Sequence, residues 1–375
     1  MKFLQEQADG KIDRKGVLMK TKLLILFGGA SSEHEVSCKS AASVLRHLNK
    51  DKYEIYKVGI TKEGNWFMTD SDPDEIETGA WKENKRNFRA TLSPDPTVGG
   101  LTALRYDGTY ETIKVDVCYP VLHGKHGEDG TMQGLLELAQ IPYVGPGCTA
   151  SAASMDKGIT KLMVLPTGVD QADFYITDRF TFASNPEGII EEIEEHFGKQ
   201  YPLFVKPANA GSSVGISKAH DMKELFNAIR IAAVEDNKIL IEETIVGREI
   251  EVAVLGNLHP KASKVGEILA ANEFYDYEAK YNNAASVTRI IDDLPEEKLN
   301  EVREDALTVY KTMGCKGLSR VDFFLTEDGR VVFNELNTLP GFTNISMYPK
   351  LWEATDLPYD ELLDTLIDLA MDKME

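Results

Sequence analysis

Four residues that could do chemistry together, Arg320, Asp322, Glu335 and Asn337, lie in RVDFFLTEDGRVVFNELN, two alternating runs on either side of Asp328-Gly329. Asp-Gly between alternating runs predicts a two-residue β-hairpin turn. Counting outward from it pairs Glu327 with Arg330, Phe324 with Phe333, Asp322 with Glu335, and Arg320 with Asn337. Side chains two apart on a strand share a face. The four polar residues therefore share one face, and Val321, Phe323, Leu325, Val332 and Leu336 form a core face, with Asn334 as its polar intruder. Carboxylates directly opposite one another have Cβ atoms roughly 5 Å apart and repel. Proton sharing, a neighbouring Arg or a divalent cation can neutralise them. An oxygen set without His or Cys suits Mg²⁺ held together with substrate phosphates; a surface hairpin with a structural Arg320–Asp322 pair is the alternative.

Three other stretches carry reactive residue types. Leu203–Pro207 reads as a strand with Lys206 inside it, followed by a small Gly/Ser loop, Ala208 to Ser213, and a second strand, Val214–Lys218. Backbone amides and hydroxyls in such a loop can close over phosphates, with Lys206 as a point charge. Val115–Leu122 reads as a buried strand ending in His123-Gly124-Lys125-His126-Gly127-Glu128, where open α/β sheets bind ligands; a hydrogen-bonded loop histidine is the plainer reading of His123. Leu23–Phe27, Gly28-Gly29 and a helical pattern from Ser32 to Leu48 give a strand, a tight turn and a helix start, with Glu33, His34 and Glu35 in the first turn, where acidic residues also simply complement the helix dipole.

The elements that must position these groups follow from pattern. Tyr53–Ile60, Ile239–Ile245 and Ile250–Leu255 read as strands; Met132–Ala139, Ser154–Leu165, Met222–Ala233, Glu296–Thr312 and Pro358–Met374 read as helices. Residues 70–112 read as loop-rich. FYDYEAKY, Phe274 to Tyr281, is aromatic and charged in a region otherwise lacking period up to about Pro295, as in a lid. Lys157 in the first turn of its helix opposes the dipole and asks for a reason.

The chain has 375 residues, 42% of them hydrophobic and 27% charged, which suits two or three globular domains. Its net charge of −20 argues against nucleic-acid or anionic-membrane partners. Four scattered cysteines fit neither a zinc site nor a disulfide framework, so a reducing, cytoplasmic setting is expected.

GGASSEHEVS from Gly28, HGKHGEDGTMQG from His123, SMDK from Ser154, FVKPANAGSSVG from Phe204, FYDYEAKY from Phe274 and RVDFFLTEDGRVVFNELNTLPGFTNISMYP from Arg320 occur in one order. Together they resemble the D-alanine:D-alanine ligases of the ATP-grasp superfamily, from about Lys22 to the C-terminus. The resemblance implies an α/β, three-domain ATP-grasp fold with an N-terminal doubly wound (Rossmann-like) domain. The expected divisions are an extension at 1–20, a substrate domain at 21–145, a central subdomain at 146–242, and a C-terminal subdomain at 243–375 with a lid at 272–295.

It also implies ATP-dependent joining of two D-alanines through an acyl phosphate, for peptidoglycan synthesis. Two Mg²⁺ (or Mn²⁺) ions would sit on Asp322, Glu335 and Asn337, and a monovalent cation is compatible with the family. Lys157, Lys206 and Lys280 match the lysines on the ATP phosphates, with Ser213 in the loop that covers them. Glu242, Glu243 and Ile245 match the adenine-reading hinge and Glu249 the ribose ligand. Glu35 matches the carboxylate that holds the first substrate's ammonium, in a triad with Ser212 and Tyr281. Arg320 and the Gly341 amide match the oxyanion donors, and His123, Glu128, Ser346 and Met347 the second-substrate pocket. Tyr281 and apolar Met347 favour D-alanine over D-lactate or D-serine as acceptor, and a homodimer is expected.

Overall fold

The computed structural model describes residues 19–211, 214–269 and 287–372. Its first sheet is built around β1 (Thr21–Gly28), which runs parallel between β2 (Tyr53–Ile60) and β7 (Val117–Leu122). Leu23 to Phe27 are wholly buried, as a continuous apolar run in a parallel strand requires. The helix His34–His47 packs on this sheet through Val36, Ala41, Val44 and Leu45.

The doubly wound description holds only for these parallel strands. β3 (Trp66–Met68), β4 (Phe88–Leu92), β5 (Gly100–Leu104) and β6 (Tyr110–Lys114) extend the sheet antiparallel, in the order β6-β5-β4-β3-β2-β1-β7. The stretch expected to be loop-rich nonetheless holds β4, β5 and the start of β6, after the short helix Pro73–Thr78. That helix is started by a capping box between Asp72 and Glu75. The strands were hard to read because their inward positions are small or sparse: Ala90 and Leu92, Leu101 and Ala103, and Ile113 alone in β6.

The second sheet has the order β10-β9-β11-β8, from β8 (Phe174–Asp178), β9 (Leu203–Pro207), β10 (Ser217–Ala219) and β11 (Lys238–Glu243). The helices Pro186–His196 and Met222–Glu235 cover one face through Ile189, Ile193, Leu225 and Ile229. The single helix expected over Ser154–Leu165 is two, Cys148–Met155 and Lys157–Val164, broken at Asp156. Asp156 has extended backbone and its side chain accepts from the Ile159 amide, so it caps the second helix.

The third sheet has the order β14-β13-β12-β15-β16 and is antiparallel throughout, from β12 (Gly247–Leu255), β13 (Lys261–Leu269), β14 (Val287–Ile290), β15 (Leu318–Thr326) and β16 (Val331–Asn337). The helix Glu296–Thr312 covers one face with Val302, Ala306, Val309 and Tyr310. β13 had no visible period because Glu267 occupies a buried position, where Arg248 and Arg289 neutralise it at 2.7 Å each. Gly266 on the same strand lets the helix Met347–Glu353 approach: a Cβ there would lie 2.7 Å from the Met347 sulfur.

The hairpin β15–β16 differs from the count in two places that cancel. The Thr326 amide donates to the Arg330 carbonyl, so the turn is Glu327-Asp328-Gly329, one residue longer than expected, with Gly329 at φ +89. Phe323 rather than Phe324 then faces Phe333, with ring centroids 6.0 Å apart. A bulge at Asn334 adds one residue to β16 and restores Asp322 opposite Glu335 and Arg320 opposite Asn337. Phe333 joins Val321, Phe323 and Leu325 where Val332 was expected, Val332 is still wholly buried, and Asn334 is the bulged residue rather than a polar group in the core.

Candidate active site

A cleft of about 1640 Å³ opens where the three sheets meet. Along it lie Glu33, His123 and Glu128 from the first sheet, Lys157, Lys206 and Glu242 from the second, and Arg320, Asp322, Glu335 and Asn337 from the third. Glu243, Ile245, Glu249, Gly341, Ser346 and Met347 also line it. Ser212, Ser213, Lys280 and Tyr281 lie outside the described residues.

On the third sheet, the Arg320 guanidinium donates to both Asp322 oxygens, at 2.8 and 2.7 Å, and stands 3.1 Å from Glu251. Asn337 Nδ2 donates to Asp322 Oδ2 at 2.9 Å. Burial alone would make Arg320 easier to deprotonate, but Asp322 and Glu251 hold it far above the ordinary arginine value. Glu251, opposite Asp322 in the ladder, escaped the sequence reading. It is 4% exposed, and a Glu inside an otherwise apolar alternating strand was the signal.

Asp322, Glu335 and Asn337 form an all-oxygen row from two adjacent strands. Among the described residues no group of three or more His, Cys, Asp or Glu side chains is arranged to hold a metal alone. Two carboxylates and an amide fit Mg²⁺, which keeps coordination positions for phosphate oxygens and water. The Lys157 ammonium reaches toward them, 4.0 Å from Glu335, and donates to the Ala210 carbonyl at 2.9 Å. That position answers why a lysine occupies a helix start: it projects to the loop after β9 and to an acidic row.

On the second sheet, Glu242 is buried between two ammonium groups, Lys161 at 2.5 Å from Oε1 and Lys206 at 2.6 Å from Oε2. Burial pushes its carboxyl up, but Lys161 and then Lys206 more than offset this and hold it down at about 2. Lys161 was not picked out from the sequence. Its signal was the spacing Lys157, Lys161, Val164, which puts a lysine on the inward side of an apolar helix. The Glu243 side chain accepts from the Asp173 amide at 3.0 Å.

At the first sheet one expectation is corrected. Glu35 does not line the cleft: its side chain is 55% exposed and pairs with Lys62 at 2.6 Å. Glu33 takes that place, 7% exposed at the N-cap of the helix His34–His47. A Cβ on Gly124 would fall 2.3 Å from its Oε2, and one on Gly211 would fall 3.1 Å away. The carboxylate therefore sits between the loop after β7 and the loop after β9. Residues two apart at a helix start do not face the same way, so only one of the two acids can point inward.

His123 follows β7 and is buried. Its Nδ1 lies 2.9 Å from the Leu339 carbonyl and its Nε2 3.0 Å from Ser40 Oγ. A carbonyl only accepts, so the network assigns the proton to Nδ1, and Nε2 accepts from Ser40. Burial holds His123 below the ordinary histidine value. Both ring nitrogens are thus engaged in tying the Leu339–Gly341 loop to the first helix. Glu128 accepts from the Gly124 amide at 2.9 Å, and burial, then the charge of Glu33, push its carboxyl up to about 8. Ser346 accepts from the Thr343 amide at 3.0 Å, and a Cβ on Gly341 would stand 2.9 Å from its Oγ. Met347 is 5% exposed on the cleft wall.

An α/β chain whose second and third sheets close on a cleft, lysines on one side and a carboxylate hairpin on the other, has the ATP-grasp fold of its structural neighbours. A D-Ala:D-Ser ligase (VanG) from Enterococcus faecalis superposes with a TM-score of 0.84 at 38% identity, covering 94% of this chain and 100% of that one. A D-alanine-D-alanine ligase from Coxiella burnetii gives 0.81 at 34%, covering 94% and 96%. The family described as D-ala D-ala ligase N-terminus matches residues 22–146, and D-ala D-ala ligase C-terminus matches 163–368. The D-alanine–D-alanine ligase of Acetivibrio thermocellus is 49% identical over 367 residues, 94% of this chain and 96% of the relative. The D-alanine–D-alanine ligase B of Clostridium tetani is 46% identical over 359 residues, 95% of each. The chain belongs to the D-alanine–D-alanine ligase family.

Proposed function

We propose that this chain is an ATP-dependent ligase that joins two D-alanines into D-alanyl-D-alanine for peptidoglycan synthesis. The observation that carries the reading is the convergence of Lys157 and Lys206 from one sheet with Arg320, Asp322, Glu335 and Asn337 from another on one cleft. A metal needed only to hold nucleotide would not call for Arg320 beside it.

The carboxylate of the first D-alanine attacks the γ-phosphate of ATP, giving an acyl phosphate and ADP. The neutral amine of the second attacks the acyl carbon, the C–O bond breaks with its electron pair leaving on phosphate, and the nitrogen gives up a proton to form the amide. Glu33 holds the first ammonium. Lys157 and Lys206 take phosphate charge, joined by Lys280, while Ser212, Ser213 and Tyr281 complete the loop and lid that exclude water from the acyl phosphate. The hinge Glu242, Glu243 and Ile245 reads the base and Glu249 the ribose. Arg320 and the Gly341 amide receive the charge on the tetrahedral oxygen, donors fixed in place before it develops. Glu128, Ser346 and Met347 shape the acceptor pocket, and His123 braces its loop. Mg²⁺ (or Mn²⁺) held by Asp322, Glu335 and Asn337 would neutralise the triphosphate and orient the transfer. The reading extends to a cytoplasmic homodimer and to a monovalent cation as activator. Among the described residues no helix is long and apolar enough to cross a membrane.

D-Serine as acceptor is a second reading, favoured by the likeness to the Enterococcus faecalis D-Ala:D-Ser ligase. Apolar, buried Met347 favours D-alanine. Phosphate release from Mg-ATP is measured with D-alanine alone and with added D-serine or D-lactate, and products are identified by mass. D-Alanyl-D-alanine as main product supports the reading. A mixed dipeptide in excess moves the assignment to the second reading, and absence of release with any acceptor removes both.

A further inference from the structure

Lys161 is a buried cation for which the reaction above has no use. Its side chain is 2% exposed, on the inner side of the helix Lys157–Val164, where its ammonium meets Glu242 Oε1 at 2.5 Å and the Ala172 carbonyl at 3.2 Å. The Phe174 ring lies 5.5 Å from it. Lys206 grips the other oxygen of the same carboxylate, but from the opposite side. Lys206 and Glu242 line the cleft, whereas Lys161 stands behind Glu242 and does not. Oε2 has Lys206 at ion-pair distance without a well-aligned hydrogen bond.

We propose that Lys161 is the permanent counter-ion of Glu242, a positioning residue that lets Lys206 leave Glu242 for the nucleotide phosphates. The inference rests on the reading of this cleft as a nucleotide site. Glu242, Lys161 and Lys206 together carry one net positive charge, and an arriving polyphosphate attracts the only one of the two ammonium groups that faces it. When Lys206 turns, Glu242 stays behind, almost wholly buried. A buried carboxylate stripped of its partner is strongly unfavourable, whereas one that keeps a partner is tolerated. With Lys161 in place the residue left behind is a neutral pair, and Oε2 gains a free lone pair for a donor on the base. Without Lys161, Glu242 has only Lys206, and it competes with phosphate for that ammonium.

This predicts coupling between two residues on opposite sides of the carboxylate. Lys161→Met keeps the volume of the stem and removes the charge. Mg-ADP binding is measured by calorimetry on the full chain for wild type, Lys161→Met, Glu242→Gln and the double variant. Lys161→Met weakens ADP at least tenfold and raises the KM for ATP in proportion, with kcat at saturating ATP changed less than threefold. The double variant, which has no buried carboxylate to retain Lys206, binds ADP at least fivefold more tightly than Lys161→Met. Lys161→Gln, which keeps a donor for Glu242, serves where the methionine variant does not fold, with the same direction expected.

Wild-type affinity in Lys161→Met, or a double variant as weak as the single, overturns the proposal, since a merely structural lysine is not rescued by deleting a second charge. A wild-type chain that does not bind ADP at all removes the nucleotide reading itself and this inference with it.

Discussion

Glu33 and Glu35 stand two residues apart at the start of one helix, and their exchange of roles can be tested directly. Glu33→Gln is nearly isosteric, so the buried volume between Gly124 and Gly211 stays filled while the charge is lost. A hydrogen bond to a charged group contributes about 1.5–3 kcal/mol. At about 1.4 kcal/mol per decade, losing the charge on the acceptor for a substrate ammonium lowers kcat/KM for D-alanine by roughly 10- to 150-fold. Glu35 holds only Lys62, and the two side chains are 55% and 51% exposed. Such surface pairs contribute about 0.2–1 kcal/mol to stability, and Glu35→Gln should leave kcat/KM within about twofold of wild type. The assay is phosphate release at saturating ATP with D-alanine varied, beside a thermal melt of each variant. A tenfold loss in Glu35→Gln with none in Glu33→Gln would refute the inward placement of Glu33 and return the ammonium to the exposed acid.

Three further outcomes follow from the site. The Glu128 carboxyl is raised from 4.5 to about 8, so between those values the folded chain holds a proton that the unfolded chain has released. Its contribution to stability is full below about pH 4.5 and is lost as pH rises to about 8. Glu128→Gln should therefore gain on wild type steadily in melting temperature from pH 5 to pH 8, and a parallel pair of curves would contradict the raised value. Asp322→Asn takes the carboxylate charge from the proposed metal site and from beside Arg320, and should lower ATP turnover by about three orders of magnitude, the scale of losing one oxyanion donor or more; normal turnover would withdraw the metal assignment. Gly266→Ala drives a methyl group to 2.7 Å from the Met347 sulfur and 2.9 Å from Leu351 Cδ2. Overpacking of this kind costs about 1–3 kcal/mol, and denaturant unfolding together with a raised KM for the second D-alanine would report the displaced helix.

What the sequence made legible was set by how local each relation is. β2, β9 and the helix Glu296–Thr312 ended where apolar pattern and flanking residues placed them, because their burial is decided within the element. β13 was unreadable because Glu267 is buried on the strength of Arg248, nineteen positions earlier, and Arg289, twenty-two later. Lys161 was missed for the same reason: what makes a lysine tolerable on an apolar helix face is a carboxylate on a strand far along the chain. The ordered motifs marked the first turn at residues 33–35 and pointed to Glu35, whereas Glu33 faces inward, since that depends on the loops after β7 and β9 closing around one side of the helix.

The hairpin shows why a reading can be right at the site while wrong on the way to it. A turn longer by one residue shifts every pair beyond it, and a strand has period two, so an uncorrected shift would leave Phe333 opposite Phe323 in the core but set Asn334 opposite Asp322 and turn Glu335 toward the core. The bulge at Asn334 reverses the shift one pair before Asp322. Both ends of the hairpin are constrained: Phe333 must meet Phe323 in the core, and Glu335 must meet Asp322 over the cleft. Those two residues are two apart and would share a face in a regular strand. An irregular residue between them is the only way the backbone meets both demands, so the polar residue that looked misplaced in the core pattern is the one that carries the bulge.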